Sequence, residues 1–205
     1  MIDTVLFDMD GVLIDATEWH YDALNEALEI FGFEIGRNEH LARFNGMTTR
    51  KKLEILSLEQ GLPRELHEII SEVKQDRTLR IAARKCFPTA AHLILLSTLK
   101  NQGMKVGVVT NSIRMTTEFM LQYSGVAKFL DVLVTNEDVE NPKPAPDGYL
   151  LAMKKLGSNP ANTVVVEDGM HGIQAAKAAG ARVVEVRDPG DVSLEILERI
   201  TGVEQ

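Results

Sequence analysis

Two aspartates, Asp8 and Asp10, directly follow the short apolar segment Thr4–Phe7. This segment is rich in β-branched and aromatic side chains and lacks helical spacing, so it is predicted to form a buried parallel strand. Because side chains alternate along a strand, both carboxylates should lie on the same side of its carboxyl end, where Gly11 lets the chain turn away. Two carboxylates so placed repel each other unless a proton or a metal ion separates them. The spacing is typical of acid–base or metal chemistry, although a strand that runs into an acidic turn gives the same tripeptide.

Two further polar segments follow strand-like runs. Thr110, Asn111 and Ser112 stand at the end of the run Lys105–Thr110 and offer a hydroxyl, an amide and backbone N–H groups of the kind that phosphate oxygens accept. A polar turn or a helix cap would use the same residues. Lys143 lies in the segment NPKPAPD, in which three prolines stiffen the chain around one cation. An exposed proline loop with a solvated lysine is the alternative interpretation.

A second acidic pair, Glu167 and Asp168, ends the run Thr163–Glu167. With Asp8 and Asp10 it gives four carboxylates that could converge on one crevice. Four nearby carboxylates with one lysine are not electrostatically stable on their own. Mg²⁺ suits such a set best, because it accepts a few carboxylates and keeps waters for a phosphate. An oxygen nucleophile, a second acid, a metal ion, a fixed cation and a hydroxyl together indicate a phosphoryl-transfer site.

The elements that must hold these groups alternate between strand and helix. Four β-branched runs resemble the first strand; they are Lys105–Thr110, Asp131–Thr135, Thr163–Glu167 and Arg182–Val186. Helical patterns separate them at Ala90–Gln102, Met115–Tyr123, Ala145–Leu156 and Ile173–Ala179. This alternation predicts an α/β fold, in which βαβ units build a parallel sheet flanked by helices.

The segment 15–81 interrupts this alternation. It contains no convincing strand, and its apolar residues recur at helical spacing. We expect a small helical domain inserted after the first strand, over the crevice in which ligands of open α/β sheets bind.

The charge, the cysteine content and the apolar runs of the sequence argue against several classes of function. Of the 205 residues 44% are hydrophobic, and the formal net charge is -8 with no basic block, which argues against nucleic acid and anionic membranes as partners. The only cysteine, Cys86, excludes an internal disulfide framework, fits a reducing compartment and is expected to be a buried thiol. No apolar run approaches the ~20 residues that span a bilayer, and no secretory signal pattern is apparent. A cytoplasmic protein is therefore expected.

Four motifs occur in a fixed order over nearly the whole chain: DMDGVLID, VVTNS, NPKPAPDGY and VVEDGMHGIQAAKAAGA. In this combination the sequence resembles the haloacid dehalogenase superfamily, and in particular its β-phosphoglucomutase-like phosphatase branch. The resemblance implies a Rossmann-like core formed by residues 1–14 and 82–205, a helical cap formed by residues 15–81, and Mg²⁺ as the cofactor.

The resemblance also implies roles for individual residues. Asp8 matches the nucleophile that forms an aspartyl-phosphate, and Asp10 matches the general acid/base. The predicted catalytic residues are Asp8, Asp10 and Lys143. The predicted phosphate-binding residues are Thr110, Asn111 and Lys143. The predicted metal ligands are Asp8, Asp10 through its backbone carbonyl, Asp168, and Glu167 directly or through water.

Four cap residues are candidates for substrate contact. His20 resembles a cap histidine that, in the mutases, positions the acid/base when the cap closes. Gly46 and Arg50 lie in a segment that resembles the substrate loop of the cap, and Lys74 could reach the crevice from the last cap helix. In the mutases a lysine stands where this chain has Asn45, and their arginine lies one residue earlier than Arg50, which counts against mutase chemistry.

The remaining histidines carry less information. His171 is expected beside the site or at the surface. Three others have no partner at metal-ligand spacing and are expected at the surface; they are His40, His67 and His92.

These features predict a Mg²⁺-dependent phosphatase that hydrolyses a small phosphate monoester, such as a sugar phosphate, through an aspartyl-phosphate. A sugar phosphomutase is the first alternative, since it would return the phosphoryl group to a sugar hydroxyl instead of water. A dehalogenase would need neither Asp10 nor a metal site, and a non-catalytic metabolite-binding protein is the most distant alternative. The expected partner is a small phosphorylated metabolite, and the chain is expected to be a monomer, with a weak dimer as the alternative.

Overall fold

The computed structural model describes residues 1–202. Five strands form one sheet: β1 Thr4–Phe7, β2 Lys105–Val109, β3 Val132–Val134, β4 Thr163–Glu167 and β5 Arg182–Glu185. Their order is β3-β2-β1-β4-β5, and every neighbouring pair is parallel. The predicted parallel sheet is confirmed. The order changes direction between β1 and β4, and in open α/β sheets the ligand crevice lies outside the carboxyl ends of the strands at such a point.

Nine α-helices accompany the sheet within residues 1–202: α1 Thr17–Glu29, α2 Arg37–Glu39, α3 Thr49–Gln60, α4 His67–Lys85, α5 Ala90–Asn101, α6 Arg114–Tyr123, α7 Asp147–Leu156, α8 Met170–Ala178 and α9 Leu197–Thr201. The helical patterns predicted between the strands are confirmed as α5 to α8. Helix α7 begins two residues later than predicted, because Pro146 lacks a backbone N–H and is restricted to the start of a helix. In this part of the chain no helix has the length and apolarity needed to cross a membrane.

The two faces of the sheet bury alternate side chains of β1. Val5 and Phe7 pack on one face, together with Leu95 of α5. Leu6 packs on the other face, together with Tyr149 of α7. Because both faces are covered, the central strand β1 is buried throughout, and its carboxyl end is held in a fixed position.

The segment between β1 and α5 is helical and has its own hydrophobic cluster. The largest members of this cluster include Leu24, Leu28, Phe44, Leu53 and Ile70. Helices α1 and α4 pack against each other within it. Helix α4 continues without interruption past residue 81, and Ala82 already belongs to the cluster on the sheet. The predicted boundary between residues 81 and 82 thus falls inside a helix, and the division into a core and a cap stays a prediction.

Two of the three histidines expected at the surface are buried, so that prediction is wrong for His40 and His92, which are 2% and 3% exposed. His92 Nε2 lies 2.8 Å from the backbone carbonyl of Pro189, which satisfies a polar atom on the inner face of α5. The ring of His40 contacts the ring of Tyr21, with centroids 5.0 Å apart. These contacts come from segments distant in sequence, so the local pattern does not show them. Cys86 is buried, as predicted.

Candidate active site

Side chains from several strand ends meet in one cavity of about 540 Å³. Asp8 follows β1, Thr110 follows β2, and Glu167 ends β4, so the carboxyl edge of the sheet forms the floor. Lys143 reaches the floor from the segment before α7. Residues of α1, α3 and α4 and of the turn around Gly46 form the opposite wall. The structure therefore brings the predicted site residues together between the sheet and the helical segment.

Lys143 connects two of the acids. Its Nζ lies 2.6 Å from Asp8 Oδ1 and 2.6 Å from Glu167 Oε1, and its side chain is only 5% exposed. The ammonium also lies 4.9 Å from the ring centroid of Tyr149. Burial acts to lower the pKa of Lys143, but Asp8 and Glu167 outweigh it and the pKa is raised. The lysine is therefore a fixed positive charge beside the first aspartate.

Glu167 is fully engaged in hydrogen bonds. Its Oε1 accepts from Lys143 and from the Tyr149 hydroxyl at 2.7 Å, and its Oε2 accepts from the backbone N–H of Asp168 and Gly169 at 3.1 and 3.3 Å. Gly172 is packed so closely that a Cβ there would overlap the Glu167 carboxylate. Both oxygens already have donors, so Glu167 orients Lys143, and its predicted role as a metal ligand stays a prediction.

The acidic cluster fits a hard divalent cation. Asp8, Glu167 and Asp168 each place a carboxylate oxygen within 4.8 Å of the others. Within residues 1–202 no other residue donates a hydrogen bond to the Asp168 carboxylate, which accepts from its own backbone N–H. A Cβ at Gly11 would overlap this carboxylate, so the glycine makes room for the side chain. Burial and then Glu167 raise the pKa of Asp168 to about 6. A half-buried carboxylate that no other residue donates to, beside other acids, offers the oxygen ligands that Mg²⁺ prefers, because the ion would supply the missing positive charge.

The pKa of Asp8 is also affected by the neighbouring carboxylates. Burial raises the pKa of its carboxyl well above the usual range, and the other carboxylates act in the same direction, whereas Lys143 opposes them. Asp8 and Asp168 could hold a cation, whose charge would act like that of Lys143 and favour the ionised form of Asp8. A nucleophilic role for Asp8 therefore depends on positive charge in this cluster.

Asp10 is held by a chain of hydrogen bonds that starts in the helical segment. Lys74 Nζ lies 3.0 Å from His20 Nδ1, and His20 Nε2 lies 3.1 Å from Asp10 Oδ1. An ammonium group only donates, so Nδ1 accepts and Nε2 carries the proton that points at Asp10. Burial and then Lys74 lower the pKa of His20, which keeps the ring neutral. The Ser112 hydroxyl donates to the other oxygen of Asp10 at 2.7 Å.

The predicted phosphate-binding residues lie at the same edge of the sheet. Thr110 is buried, and its hydroxyl accepts a hydrogen bond of 3.0 Å from the Ser112 N–H. The Asn111 amide accepts from the backbone N–H of Lys143 and donates to the carbonyls of Lys143 and Gly46, at 3.0, 3.0 and 2.8 Å. Asn111 therefore fixes the backbone of Lys143 and ties the helical segment to the sheet. Phosphate binding by Thr110 and Asn111 stays a prediction.

The cap candidates differ in position. Gly46, His20 and Lys74 line the cavity. The side chains of His20 and Lys74 belong to the hydrogen-bond chain that holds Asp10. Arg50 lies at its rim, where its side chain is 88% exposed and 3.6 Å from Glu54.

Two residues of the site, Tyr149 and Lys52, were not predicted from the sequence, and neither was the contact of Ser112 with Asp10. Ser112 and Tyr149 lie inside quoted motifs, but their partners, Asp10 and Glu167, are not adjacent to them in sequence. Lys52 lines the cavity from α3 and is buried, although its sequence context is that of a solvated helix surface.

Comparisons with known proteins agree with this geometry. Residues 5–186 match the family described as haloacid dehalogenase-like hydrolase. The chain is 31% identical to the fructose-1-phosphate phosphatase YqaB of Escherichia coli, over 89% of this chain and 95% of that protein. It is also 31% identical to the pyrophosphatase PpaX of Bacillus pumilus, over 90% of this chain and 83% of the relative.

Solved structures share the fold. The crystal structure of CbbY from Rhodobacter sphaeroides in complex with phosphate superposes with a TM-score of 0.82 at 26% identity, over 90% of this chain and 86% of the other. The β-phosphoglucomutase of Clostridium difficile superposes with a TM-score of 0.84 at 21% identity, over 97% of this chain and 96% of the other. The chain therefore belongs to the haloacid dehalogenase-like hydrolases, and it is a phosphatase of that family.

Proposed function

We propose that the enzyme is a Mg²⁺-dependent phosphatase that hydrolyses a small phosphate monoester through an aspartyl-phosphate on Asp8. One observation carries the proposal: three carboxylates lie within 4.8 Å of one another, and a buried lysine lies 2.6 Å from Asp8 at the floor of a covered cavity. This arrangement supplies an oxygen nucleophile and fixed positive charge at the same place, which is what phosphoryl transfer requires.

In the first step an Asp8 oxygen attacks phosphorus, the new O–P bond forms, and the bond from phosphorus to the ester oxygen breaks. Asp10 gives its proton to the leaving oxygen. In the second step water attacks the phosphorus of the aspartyl-phosphate, Asp10 takes a proton from that water, and inorganic phosphate leaves Asp8. Lys143 stabilises the charge on the transferring oxygens, and its contacts with Asp8 and Glu167 keep it in place.

Asp8 and Asp168 are the side chains that would hold Mg²⁺, with Asp10 and Glu167 beside them. When bound, the ion supplies positive charge for the phosphoryl oxygens and for the Asp8 carboxylate.

The protonation of Asp10 depends on what is bound. Burial acts to raise the pKa of Asp10, but His20, Ser112 and Lys74 outweigh it, and the pKa of the carboxyl is lowered without substrate. A phosphate ester brings negative charge next to Asp10 and acts in the opposite direction. Asp10 is therefore suited to accept a proton from water once the leaving group has gone, and substrate binding favours the protonated form needed in the first step.

Residues 15–81 act as a cap in this proposal. They cover the carboxyl edge of the sheet, and the Asn111–Gly46 contact of 2.8 Å joins the two parts. A covered cavity of about 540 Å³ admits a metabolite and excludes a folded protein or a nucleic acid. The relatives named for fructose 1-phosphate and pyrophosphate support a small phosphorylated substrate.

A phosphate-release assay tests the proposal. The purified chain is incubated with a panel of sugar phosphates and related esters, with Mg²⁺ and with a chelator. We expect release that requires Mg²⁺, and we expect Asp8→Asn to abolish it while the far-UV circular dichroism stays unchanged. Asp15→Asn is the matched control, because Asp15 is exposed in the same segment. Near-normal turnover by Asp8→Asn would remove Asp8 from the mechanism.

A sugar phosphomutase is the second candidate, favoured by the 3.1 Å contact between His20 and Asp10. A histidine that aligns the acid/base only in the closed cavity would let a sugar hydroxyl compete with water for the phosphoryl group. Incubation with a hexose 1-phosphate distinguishes the two reactions. Free phosphate as the main product supports the phosphatase, and an isomeric hexose phosphate supports the mutase.

A further inference from the structure

The two walls of the cavity carry opposite charge. Within residues 1–202, Lys143 is the one lysine that lines it from the side of the sheet, and four acidic side chains line it from the carboxyl edge of the sheet: Asp8, Asp10, Glu167 and Asp168. The wall formed by residues 17–75 has four basic side chains and no acidic one among the described residues that line the cavity: Arg43, Arg50, Lys52 and Lys74. The phosphate that is transferred and its cation belong at the acidic wall. The basic wall faces the remainder of the substrate.

Three of the four basic side chains have a partner or reach solvent. Arg43 pairs with Glu59 through contacts of 2.8 and 2.6 Å. Arg50 is 88% exposed. Lys74 donates to His20.

Lys52 is different. It is 6% exposed, it lines the cavity, and its ammonium has neither a hydrogen bond nor an ion pair within residues 1–202. Burial and then Lys74 lower the pKa of Lys52 to about 7, while Asp10 acts in the opposite direction. A buried charge without a partner destabilises a fold. A cavity-facing ammonium of this kind is therefore suited to a ligand that supplies the opposite charge.

We propose that Lys52, with Lys74 beside it, forms a second anion-binding subsite, so that the substrate carries a second anionic group in addition to the phosphate that is transferred. The inference rests on the proposed function, because it assigns the far end of the same substrate. The transferred phosphate already has Lys143 and the acidic cluster with its cation, and the cavity volume exceeds what one phosphate fills. Phosphate and carboxylate are the two groups with the required charge and hydrogen-bond acceptors.

Matched substrate pairs test the subsite. One pair is glucose 1,6-bisphosphate and glucose 1-phosphate; the other is 2-phosphoglycolate and 2-hydroxyethyl phosphate. The members of each pair differ in the second anion, which is a phosphate in the first pair and a carboxylate in the second. We expect kcat/KM to be about ten- to a hundredfold higher for the doubly anionic member of at least one pair, since hydrogen bonds to charged groups contribute that much. The pair that shows the preference identifies the anion.

Variants of Lys52 test whether this residue causes the preference for the doubly anionic substrate. Lys52→Met keeps the length of the side chain and removes its charge, and we expect it to bring the ratio within the preferred pair close to one. Lys51→Met is the matched control, because Lys51 precedes it on the same helix and is exposed; this variant should keep the ratio. We also expect Lys52→Met to unfold at the same or a higher denaturant concentration than the wild type, because a buried unpaired charge is lost.

The outcomes are distinct. Ratios near one in both pairs, with both monophosphates hydrolysed, would overturn the subsite and leave the phosphatase assignment intact. A preference that survives Lys52→Met, or a fall in the stability of that variant, would assign Lys52 a structural role and overturn the inference as well. No hydrolysis of any ester in the presence of Mg²⁺ would remove the proposed function, and the subsite with it.

Discussion

The Tyr149 hydroxyl donates a hydrogen bond of 2.7 Å to Glu167 Oε1, and both side chains are buried. The bond joins α7 to the end of β4 beneath the ammonium of Lys143. It is a supporting contact of the site, since Glu167 in turn orients Lys143.

We expect Tyr149→Phe to lower the free energy of unfolding by about 1.5–3 kcal/mol, because a buried carboxylate loses a donor. Urea denaturation measures this change. Tyr123→Phe is the control, since Tyr123 is 48% exposed and should change stability very little. Equal stability of Tyr149→Phe and the wild type would mean that the hydroxyl does not support Glu167.

Gly172 gives a prediction about packing. A Cβ at this position would overlap the Glu167 carboxylate, whereas a Cβ at Gly169 would meet nothing within 4 Å. We expect Gly172→Ala to lower the free energy of unfolding by about 1–3 kcal/mol through overpacking. It should also lower phosphatase activity, because Glu167 must move. Gly169→Ala should change the stability by less than Gly172→Ala, and the reverse order would contradict close packing of Gly172 against Glu167.

His20 gives a prediction about catalysis. Its Nε2 holds Asp10, so we expect His20→Ala to lower kcat by about ten- to a hundredfold, as for a partly misplaced acid/base. KM should change less, and His20→Gln, whose amide can donate, should recover part of the rate. His67→Ala is the control, because His67 bonds to Ser57 in the helical segment and does not line the cavity. A higher KM with kcat unchanged would assign His20 to substrate binding instead.

Cys86 gives a pH prediction. Burial raises the pKa of its thiol from 9.0 to about 11. Only the thiolate reacts with disulfide reagents, so at pH 8 the folded protein should react at least about a hundredfold more slowly than the chain in urea. The rate for the folded protein should keep rising between pH 9 and pH 11, while that of the unfolded chain levels off. Equal rates at pH 8 would show that the thiol is accessible and that burial does not raise its pKa.

The strands and the positions of the acids follow from local pattern. The run Thr4–Phe7 is β-branched and uninterrupted, so it becomes a central parallel strand, and Asp8 must lie at its carboxyl end. The same reasoning places Glu167 and Asp168 after β4. Parallel strands end at one edge, which is why the sequence could predict that these groups meet.

Contacts between distant segments could not be predicted in this way. His40 and Lys52 have the sequence context of an exposed helix, yet packing of the helical segment buries both. The Ser112–Asp10 and Asn111–Gly46 contacts join residues that no periodicity relates.

Local hydrophobic spacing and residue type were enough to predict the α/β alternation, the acidic strand ends, the lysine among prolines and the helices between β1 and α5, because each depends on neighbouring residues alone. Tertiary contacts set which oxygen each donor reaches and give Glu167 donors on both oxygens, whereas Asp168 has none from another described residue. They also bury Lys52 at the cavity without a hydrogen bond or an ion pair within residues 1–202. These properties depend on distances between elements far apart along the chain, and hydrophobic packing sets those distances only when the whole chain has folded.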